Sequence, residues 1–166
     1  RWAGVGAVEL RAILVTHEHS DHVSGLPVFI RKFKTPVFAR RRTWDAFQPA
    51  HHVESEYRRE LGSCLEIGGV RVEPFAISHD AAEPVGYSFC CGDVKCVVAT
   101  DMGCVSERVE QDLAYADVMV FESNHDVAML RNGPYPEYLK KRILSNRGHL
   151  SNLDTGRCLA RMGKKP

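Results

Sequence analysis

The sequence lacks any apolar segment long enough to cross a membrane. A membrane-spanning helix needs about 18 consecutive apolar residues, and no such run occurs among the 166 residues. The chain begins at Arg1 without a basic segment followed by an apolar one, so we expect no signal peptide. Both absences argue against a membrane as a partner.

The sequence also has almost no net charge. Lys and Arg total 22 and Asp and Glu total 21, which leaves +1. So small a charge gives no overall attraction for nucleic acid, which must then be bound by a local patch. The densest basic run consists of Arg31, Lys32, Lys34, Arg40, Arg41 and Arg42. Such a run is typical of a nucleic-acid backbone contact or, more commonly, of a solvated helix face.

No Cys-x-x-Cys pair occurs among the six cysteines. This absence argues against a cysteine-type zinc site and against a thioredoxin-type redox motif. Several cysteines lie in apolar stretches, such as Ser88–Cys91 and Cys96–Ala99, where cysteine behaves as a small buried side chain. We therefore expect free thiols, a reducing compartment and a cytoplasmic location.

Length and composition predict one α/β domain over residues 1–166. Apolar residues make up 44% and charged residues 26%, the balance of a globular protein. Short β-rich runs alternate with segments of helical spacing. The predicted strands are 12–16, 36–39, 65–67, 70–75, 85–91, 95–100 and 117–122, and the predicted helices are 23–33, 43–47, 137–145 and 151–162. Turn residues at 68–69 and 91–94 indicate two hairpins, so we expect a mixed or largely antiparallel sheet.

The segment Thr16–His22 carries the strongest functional signal. It holds three of the 8 histidines and follows a predicted buried strand. Side chains two positions apart in an extended loop point to the same side, so His17 and His19 can share one ion. Asp21 and His22 are offset from them and can reach a second ion. Imidazole and carboxylate suit zinc, iron or manganese, and the alternative is a polar, hydrogen-bonded loop.

This His-x-His-x-Asp-His loop resembles the signature of the metallo-β-lactamase fold. Further segments extend the resemblance to the YycJ/WalJ branch of that superfamily: Ile77–Tyr87, Ala99–Gly103, Phe121–Asp126 with Met129-Leu130, and Gly148–Asn152. Members of this branch are bacterial cytosolic hydrolases related to tRNase Z and to other nucleases of the fold. The resemblance implies an αββα fold with mixed sheets and outer helices.

The resemblance also implies a ligand set for two divalent metal ions, zinc or manganese, with iron as a further option. The first ion would be held by His17, His19 and His79, the second by Asp21 and His22, and Asp101 would bridge both. The pattern agrees with this assignment, because His79 and Asp101 each follow a β-rich run and can face one crevice. Without the resemblance, an isolated histidine at such a position is more often a packed or surface residue.

Two residues receive catalytic roles from the resemblance. Asp21 would orient the attacking hydroxide as well as bind metal. In the tRNase Z relatives, a histidine in a segment like that of His149 sits beside the scissile phosphate. His149 would therefore contact the phosphate or donate a proton to the leaving oxygen, and a structural role or direct metal ligation are the alternatives. A capping-box pattern at Ser151–Asp154 places a helix N-terminus just after it.

The remaining histidines give weaker signals. His125 follows a predicted strand and either faces the site or packs elsewhere, and these two readings stay open. His51 and His52 lie in a polar stretch and are expected to be solvated.

The resemblance thus implies a metal-dependent phosphodiesterase or nuclease acting on DNA through a hydroxide that two metal ions activate. Two alternatives stay open, because one fold hosts many reactions. The first is a hydrolase of small-molecule esters, thioesters or lactones on the same ions. The second is a non-catalytic metal-binding remnant.

The chain departs from the family at both ends. Only residues 1–11 precede the strand of the histidine loop, where family members carry further strands. No histidine follows His149, where the family has a final metal ligand. We expect an internal fragment or a short member, truncated at both ends, with an incomplete second metal site. The uncovered faces leave a homo-oligomer open.

Overall fold

The structure, a computed structural model, describes residues 4–48 and 52–162. Two compact units divide the chain. The first consists of Arg1–Gly69 and Ala81–Glu83, and the second of Val70–Asp80 and Pro84–Pro166. Within the described ranges, every helix is too short or too polar to cross a membrane.

A parallel sheet lies at the centre of the first unit. Its strands β1 (Ile13–Leu14), β2 (Val37–Ala39) and β3 (Arg58–Glu60) lie in this order, each parallel to the next. The other elements of this unit are the helices α1 (Ser20–Val23), α2 (Leu26–Phe33) and α3 (Arg41–Ala46), short 3-10 helices at Ala7–Glu9 and Ser55–Tyr57, and the strand β4 (Leu65–Ile67). The apolar face of α2, with Leu26 and Ile30, packs in one core with Val37 and Ala39 of β2.

The predicted helix 23–33 is wrong at its start. Val23 ends α1, and α2 begins only at Leu26, with Gly25 as its N-cap and Pro27 in its first turn. Proline in the first turn favours a helix start, because its missing N–H would have no partner there. The break at residues 24–25 therefore separates α1, which carries Asp21 and His22, from α2, whose apolar face packs in the core.

The second unit contains four strands that lie side by side in chain order. They are β5 (Val70–Ala76), β6 (Val85–Cys91), β7 (Val94–Ala99) and β8 (Val118–Phe121). β6 runs antiparallel to both β5 and β7, whereas β8 runs parallel to β7. Consequently β5, β7 and β8 point in one direction and their carboxyl ends lie along one edge. The helices are α4 (Glu107–Leu113), α5 (Val127–Asn132), α6 (Glu137–Ile143) and α7 (Asn152–Arg161).

A second apolar core fixes these strand ends. Phe75, Val97 and Ala99 of the strands pack with Met102 and with Val109 of α4. Val97, Ala99 and Met102 are fully buried, so the chain immediately before and after the end of β7 is held rigidly. The residues just beyond the end of β7 are therefore held in fixed positions.

The structure confirms an α/β chain with mixed strand directions. The hairpin predicted at 91–94 is present, with Cys91 paired to Val94, and β4 and β5 flank Gly68-Gly69, both of which have positive φ. Ser151 caps α7 as predicted, since its Oγ accepts the Asp154 N–H at 3.2 Å. All six cysteines are free thiols, although Cys91 is exposed rather than buried because it ends β6 at the hairpin.

Besides α1 and the two 3-10 helices, three further elements of the described residues escaped the prediction. β3 consists of charged residues only, so it shows no apolar alternation. α4 and α5 begin at side-chain caps, Ser106 and Asp126, whose oxygens accept the N–H three residues on. These caps were the signals that could have predicted both helices.

Candidate metal centre

The histidine loop of the first unit follows β1 directly. Buried Val15 leads into it, His17 is fully buried, and His19 is the N-cap residue of α1. Asp21 and His22 lie in the single turn of α1. The short helix therefore brings the second half of the motif back beside the first.

Two imidazoles of this loop, those of His19 and His22, contact the ring of His17. The ring centroid of His17 lies 4.5 Å from that of His19 and 4.1 Å from that of His22. The Thr16 hydroxyl lies 3.1 Å from Nδ1 of His17 and 3.3 Å from Nδ1 of His22. Nε2 is then the nitrogen through which these two rings would bind a metal. The exposed carboxylate of Asp21 lies 3.5 Å from Nε2 of His22, so the loop groups three rings and one carboxylate.

Glu18 holds this loop in place and was missed by the sequence reasoning. Its Oε1 accepts a hydrogen bond of 2.7 Å from the Ala82 N–H in the same unit. Nearby, Glu83 accepts from the Arg40 guanidinium at 2.7 Å and from the Arg42 N–H at 3.1 Å. Arg40 also donates to the Leu61 carbonyl at 2.7 Å, so this member of the basic run has a structural role.

The second unit assembles its polar cluster from strand ends. His79 follows β5, Asp101 follows β7 and Glu122 follows β8. Since these three strands end along one edge, their next residues are brought together although they are distant in sequence. His149 joins them from the segment before α7, which pairs with His125 through Ser151.

His79, Asp101 and His149 form a compact donor set. Each offers one nitrogen or oxygen, and these atoms lie within 4.8 Å of one another. Nδ1 of His149 is 3.6 Å from Oδ1 of Asp101, and the two imidazole centroids are 5.2 Å apart. His79 is almost completely buried. The cluster therefore presents imidazole and carboxylate atoms at a spacing that one or two ions can bridge.

A hydrogen-bonded loop positions His79 and His149. Nδ1 of His79 donates to the Gly148 carbonyl at 3.1 Å, and the Ser78 hydroxyl donates to the Asn146 carbonyl at 2.7 Å. The Arg147 guanidinium donates twice to the His79 carbonyl, at 3.1 and 3.2 Å. A Cβ on Gly148 would lie only 2.1 Å from the Arg142 carbonyl. Only glycine fits at this close approach.

Asp101 adopts a left-handed backbone conformation. Its φ is +57°, a value that few residues other than glycine, asparagine and aspartate adopt. The surrounding chain enforces it, because the Met102 N–H donates to Glu122 at 2.5 Å and the Gly103 N–H donates to the Ser78 carbonyl at 2.8 Å. Aspartate is therefore one of the few residue types that suit this backbone position.

Glu122 is a second residue of the candidate site that the sequence reasoning missed. Its side chain is buried and its Oε1 accepts a 2.7 Å hydrogen bond from Nδ1 of His149. This hydrogen bond, together with the negative charge of Glu122, raises the pKa of His149 above its ordinary value, with a smaller contribution from Asp101. The carboxylate therefore fixes both the orientation of the His149 ring and its preference for a proton.

The family model of the β-lactamase superfamily domain matches residues 3–166. The chain belongs to this superfamily. It is 43% identical over 157 residues to exodeoxyribonuclease YycJ of Bacillus anthracis and 41% identical over 158 residues to exodeoxyribonuclease WalJ of Streptococcus pneumoniae serotype 2. Each alignment covers 92% of this chain and 59% of the relative, so the chain spans less than two thirds of the length of these curated relatives.

The structure shares the fold of known superfamily members. It matches the metallo-β-lactamase fold protein YhfI of Bacillus subtilis with a TM-score of 0.69 at 16% identity, covering 95% of this chain and 62% of YhfI. So low an identity shows the fold alone. The metallo-β-lactamase fold expected from the histidine loop is therefore confirmed.

Divalent metals are the cofactors that this superfamily implies, and the second-unit residues fit them. Metal-ligating histidines commonly donate their other ring N–H to a carbonyl or carboxylate. His79 does so to the Gly148 carbonyl, which leaves Nε2, 3.4 Å from Oδ1 of Asp80, as the atom that could bind a metal. Asp101 supplies the carboxylate, and nitrogen and oxygen donors of this kind suit zinc or manganese.

The other predicted residues of this superfamily member lie as follows. His125 lies in the second unit next to the His149 segment, and the Asn152 N–H donates to its carbonyl at 2.9 Å. Burial lowers the pKa of His125, and the charge of His149 lowers it further. His52 is exposed, as expected, whereas His51 lies outside the described residues.

Proposed function

We propose that this chain is part of a metal-dependent phosphodiesterase that acts on DNA. The observation that carries the proposal is the pair of His149 and buried Glu122 beside the ligand candidate Asp101. The two relatives named exodeoxyribonucleases support DNA as the substrate class. The activity, the substrate and any partner of the whole protein belong to this proposal.

Six residues are proposed as ligands of two divalent ions, zinc or manganese, with iron as a further option. They are the residues implied by the resemblance: His17, His19, Asp21, His22, His79 and Asp101. Such ions, when bound, lower the pKa of water and neutralise charge that develops on a phosphate.

His149 would protonate the leaving oxygen. Glu122 raises the pKa of His149, so the ring holds a proton at a higher pH than an isolated histidine does. A general acid of this kind contributes about 10²–10⁴-fold to the rate. Asp21, whose carboxylate is exposed in the first unit, would orient the attacking water.

The leaving group favours a phosphodiester over the thioester alternative. Cleavage of DNA expels an alkoxide, which is a poor leaving group and benefits from protonation. A thiolate leaves without a proton, so a thioester hydrolase has little need of a buried carboxylate that keeps a histidine protonated. The His149–Glu122 pair is thus better explained by cleavage of a bond to an alkoxide, as in DNA, than by thioester hydrolysis.

Hydrolysis assays on the purified chain test the proposal. DNA oligonucleotides, a thioester and a lactone are compared with added Zn²⁺ or Mn²⁺ and after chelation. We expect metal-dependent hydrolysis of DNA, which falls in His149→Ala but not in the control His52→Ala. Turnover of the thioester or lactone alone would support the small-molecule alternative, and metal binding without any turnover would support the non-catalytic one.

The proposal includes a reducing compartment such as the bacterial cytoplasm. Its support is the free state of all six thiols. Association into a homo-oligomer stays a prediction, which the molar mass from light scattering tests.

A further inference from the structure

A cavity of about 500 Å³ lies in the second unit, next to the His149 segment. Its lining residues come from the chain after β8, from α5, from the segment before α6 and from the start of α7; those used below are Asn124, His125, Met129, Leu130, Tyr135 and Asn152. This volume lies within the range of small-molecule sites. The proposed mechanism uses none of these residues.

Backbone hydrogen bonds tie the cavity to the site. The Asn124 N–H donates to the Leu150 carbonyl at 3.0 Å, and the Asn152 N–H donates to the His125 carbonyl at 2.9 Å. Leu150 directly follows His149, and His149 is close enough to His125 for its charge to act on that ring. A substrate with its phosphate at His149 would therefore have its neighbouring groups at this cavity.

One part of the lining is apolar and accessible. Leu130 is buried, whereas Met129 is 76% exposed and the Tyr135 ring is 53% exposed. An aromatic ring and a thioether left this open offer a flat, polarisable surface on which another ring can stack.

The other part is polar and has hydrogen-bonding capacity to offer. Both ring nitrogens of His125 are buried, and neither has a hydrogen-bond partner among residues 4–48 and 52–162. Atoms buried this completely are closed to a ligand as well as to water, so the His125 ring forms part of the cavity wall. The exposed Asn152 side chain supplies the hydrogen-bonding group instead. Its oxygen accepts from the Ser123 hydroxyl at 2.8 Å, which leaves its amide N–H groups to donate to a ligand.

We propose that this cavity binds a nucleobase of the DNA, namely that of the nucleotide whose phosphate lies at His149. The inference rests on the proposed function. A base has a flat face that can stack on Tyr135 and a polar edge that can accept from the Asn152 amide. An aliphatic or acyl group would cover the cavity equally well but has no ring to stack on Tyr135.

Nucleotide binding measures the effect of the base directly. Calorimetric titrations compare 2′-deoxyadenosine monophosphate with deoxyribose phosphate, which lacks the base, with the phosphate at the 5′ or the 3′ position. Stacking on an aromatic side chain corresponds to roughly 5- to 150-fold in affinity, so we expect the base to tighten binding at least about 10-fold. The deoxynucleotide of 2-aminopurine, which is fluorescent, should be quenched on binding.

Substitutions at one ring separate stacking from folding. Tyr135→Ala should remove most of the gain from the base and the quenching, whereas Tyr135→Phe should keep both because it keeps the ring. Asn152→Ala should weaken base binding while deoxyribose phosphate binds as before. Tyr138→Ala is the matched control, since Tyr138 is an exposed tyrosine of α6 that does not line the cavity. Thermal unfolding of each variant verifies that it is folded.

The outcomes separate this inference from the proposed function. Equal binding of the nucleotide and deoxyribose phosphate, in a chain that hydrolyses DNA, overturns the base subsite and leaves the nuclease proposal standing. A gain from the base that depends on Tyr135, in a chain that does not hydrolyse DNA, supports the subsite and contradicts the nuclease proposal. Absence of both nucleotide binding and hydrolysis contradicts both.

Discussion

The two groups of candidate ligands are assembled in opposite ways. In the first unit, the histidine loop delivers His17, His19 and His22 from one short stretch, and one turn of helix brings their rings into contact. In the second unit, His79, Asp101 and His149 are distant in sequence and meet only because β5, β7 and β8 end at one edge. The placement of ligands from one short motif depends on the conformation of that loop, whereas the placement of dispersed ligands depends on the order and direction of all the strands that carry them. The geometry of the second group should therefore be more sensitive than that of the first to substitutions elsewhere in the fold.

The largest effect should follow removal of one ligand from either group. His17→Ala and His79→Ala should each lower the metal content below that of the wild-type chain and reduce DNA hydrolysis by more than the roughly 10²–10⁴-fold supplied by a general acid. Elemental mass spectrometry of protein purified without added metal measures the first effect. His52→Ala is the control. Full metal content in His79→Ala would show that the dispersed group does not bind metal.

Removal of His149 should affect the chemistry but not the metal. We expect His149→Ala to slow hydrolysis by about 10²–10⁴-fold, the contribution of a proton donor, with unchanged metal content. The loss should shrink for a substrate with a leaving group that needs no proton, such as a nitrophenyl phosphodiester. A fall in metal content would instead make His149 a ligand, in accord with its distance to His79 and Asp101.

The sequence predicted the first group far better than the second. The histidine loop could be recognised from spacing alone, and the strand before it is present, although shortened to Ile13–Leu14. His79 and Asp101 were suggested by their positions after β-rich runs, but their proximity depends on strand order, which the sequence pattern does not encode. Glu122 could not be identified, because a glutamate after a strand is usually solvated. Here its carboxylate accepts from the Met102 N–H and its carbonyl accepts from Thr155 of α7, and neither contact can be read from the sequence.

A smaller effect should follow from changing Glu122. Its carboxylate accepts hydrogen bonds from His149 and from the Met102 N–H, the residue after Asp101. Glu122→Gln should slow hydrolysis by about 10–100-fold, the usual cost of losing a carboxylate that orients a site histidine. It should also lower the pKa of His149, as proton NMR titration of the metal-free chain would show. Unchanged titration of His149 would contradict the 2.7 Å hydrogen bond.

The same pair gives the metal-free chain a pH-dependent stability. Glu122 raises the pKa of His149 in the folded state, so the folded chain holds this proton more tightly than the unfolded chain does. The stabilisation is complete below the unfolded pKa and is lost as the pH rises through the higher folded value. Thermal unfolding should therefore show wild type and Glu122→Gln diverging towards acidic pH and converging above the folded pKa.

The smallest effects concern substitutions of two glycines. One lies in the loop of the dispersed cluster and the other lies in a neighbouring helix. Gly148→Ala places a Cβ 2.1 Å from the Arg142 carbonyl, so the loop that carries His149 must move, at a cost of about 1–3 kcal/mol. Gly156→Ala, in exposed α7, meets nothing within 4 Å and should stabilise the chain by about 0.5–1 kcal/mol, because alanine restricts the unfolded chain and favours a helix. Chemical denaturation measures both changes.

Since the loop also fixes His79 through the Gly148 carbonyl, Gly148→Ala should perturb the His79 and His149 resonances while those of the histidine loop stay in place. Equal stability of the two variants would show that the loop is not held against α6. The dispersed group would then depend no more on the surrounding elements than the contiguous group does.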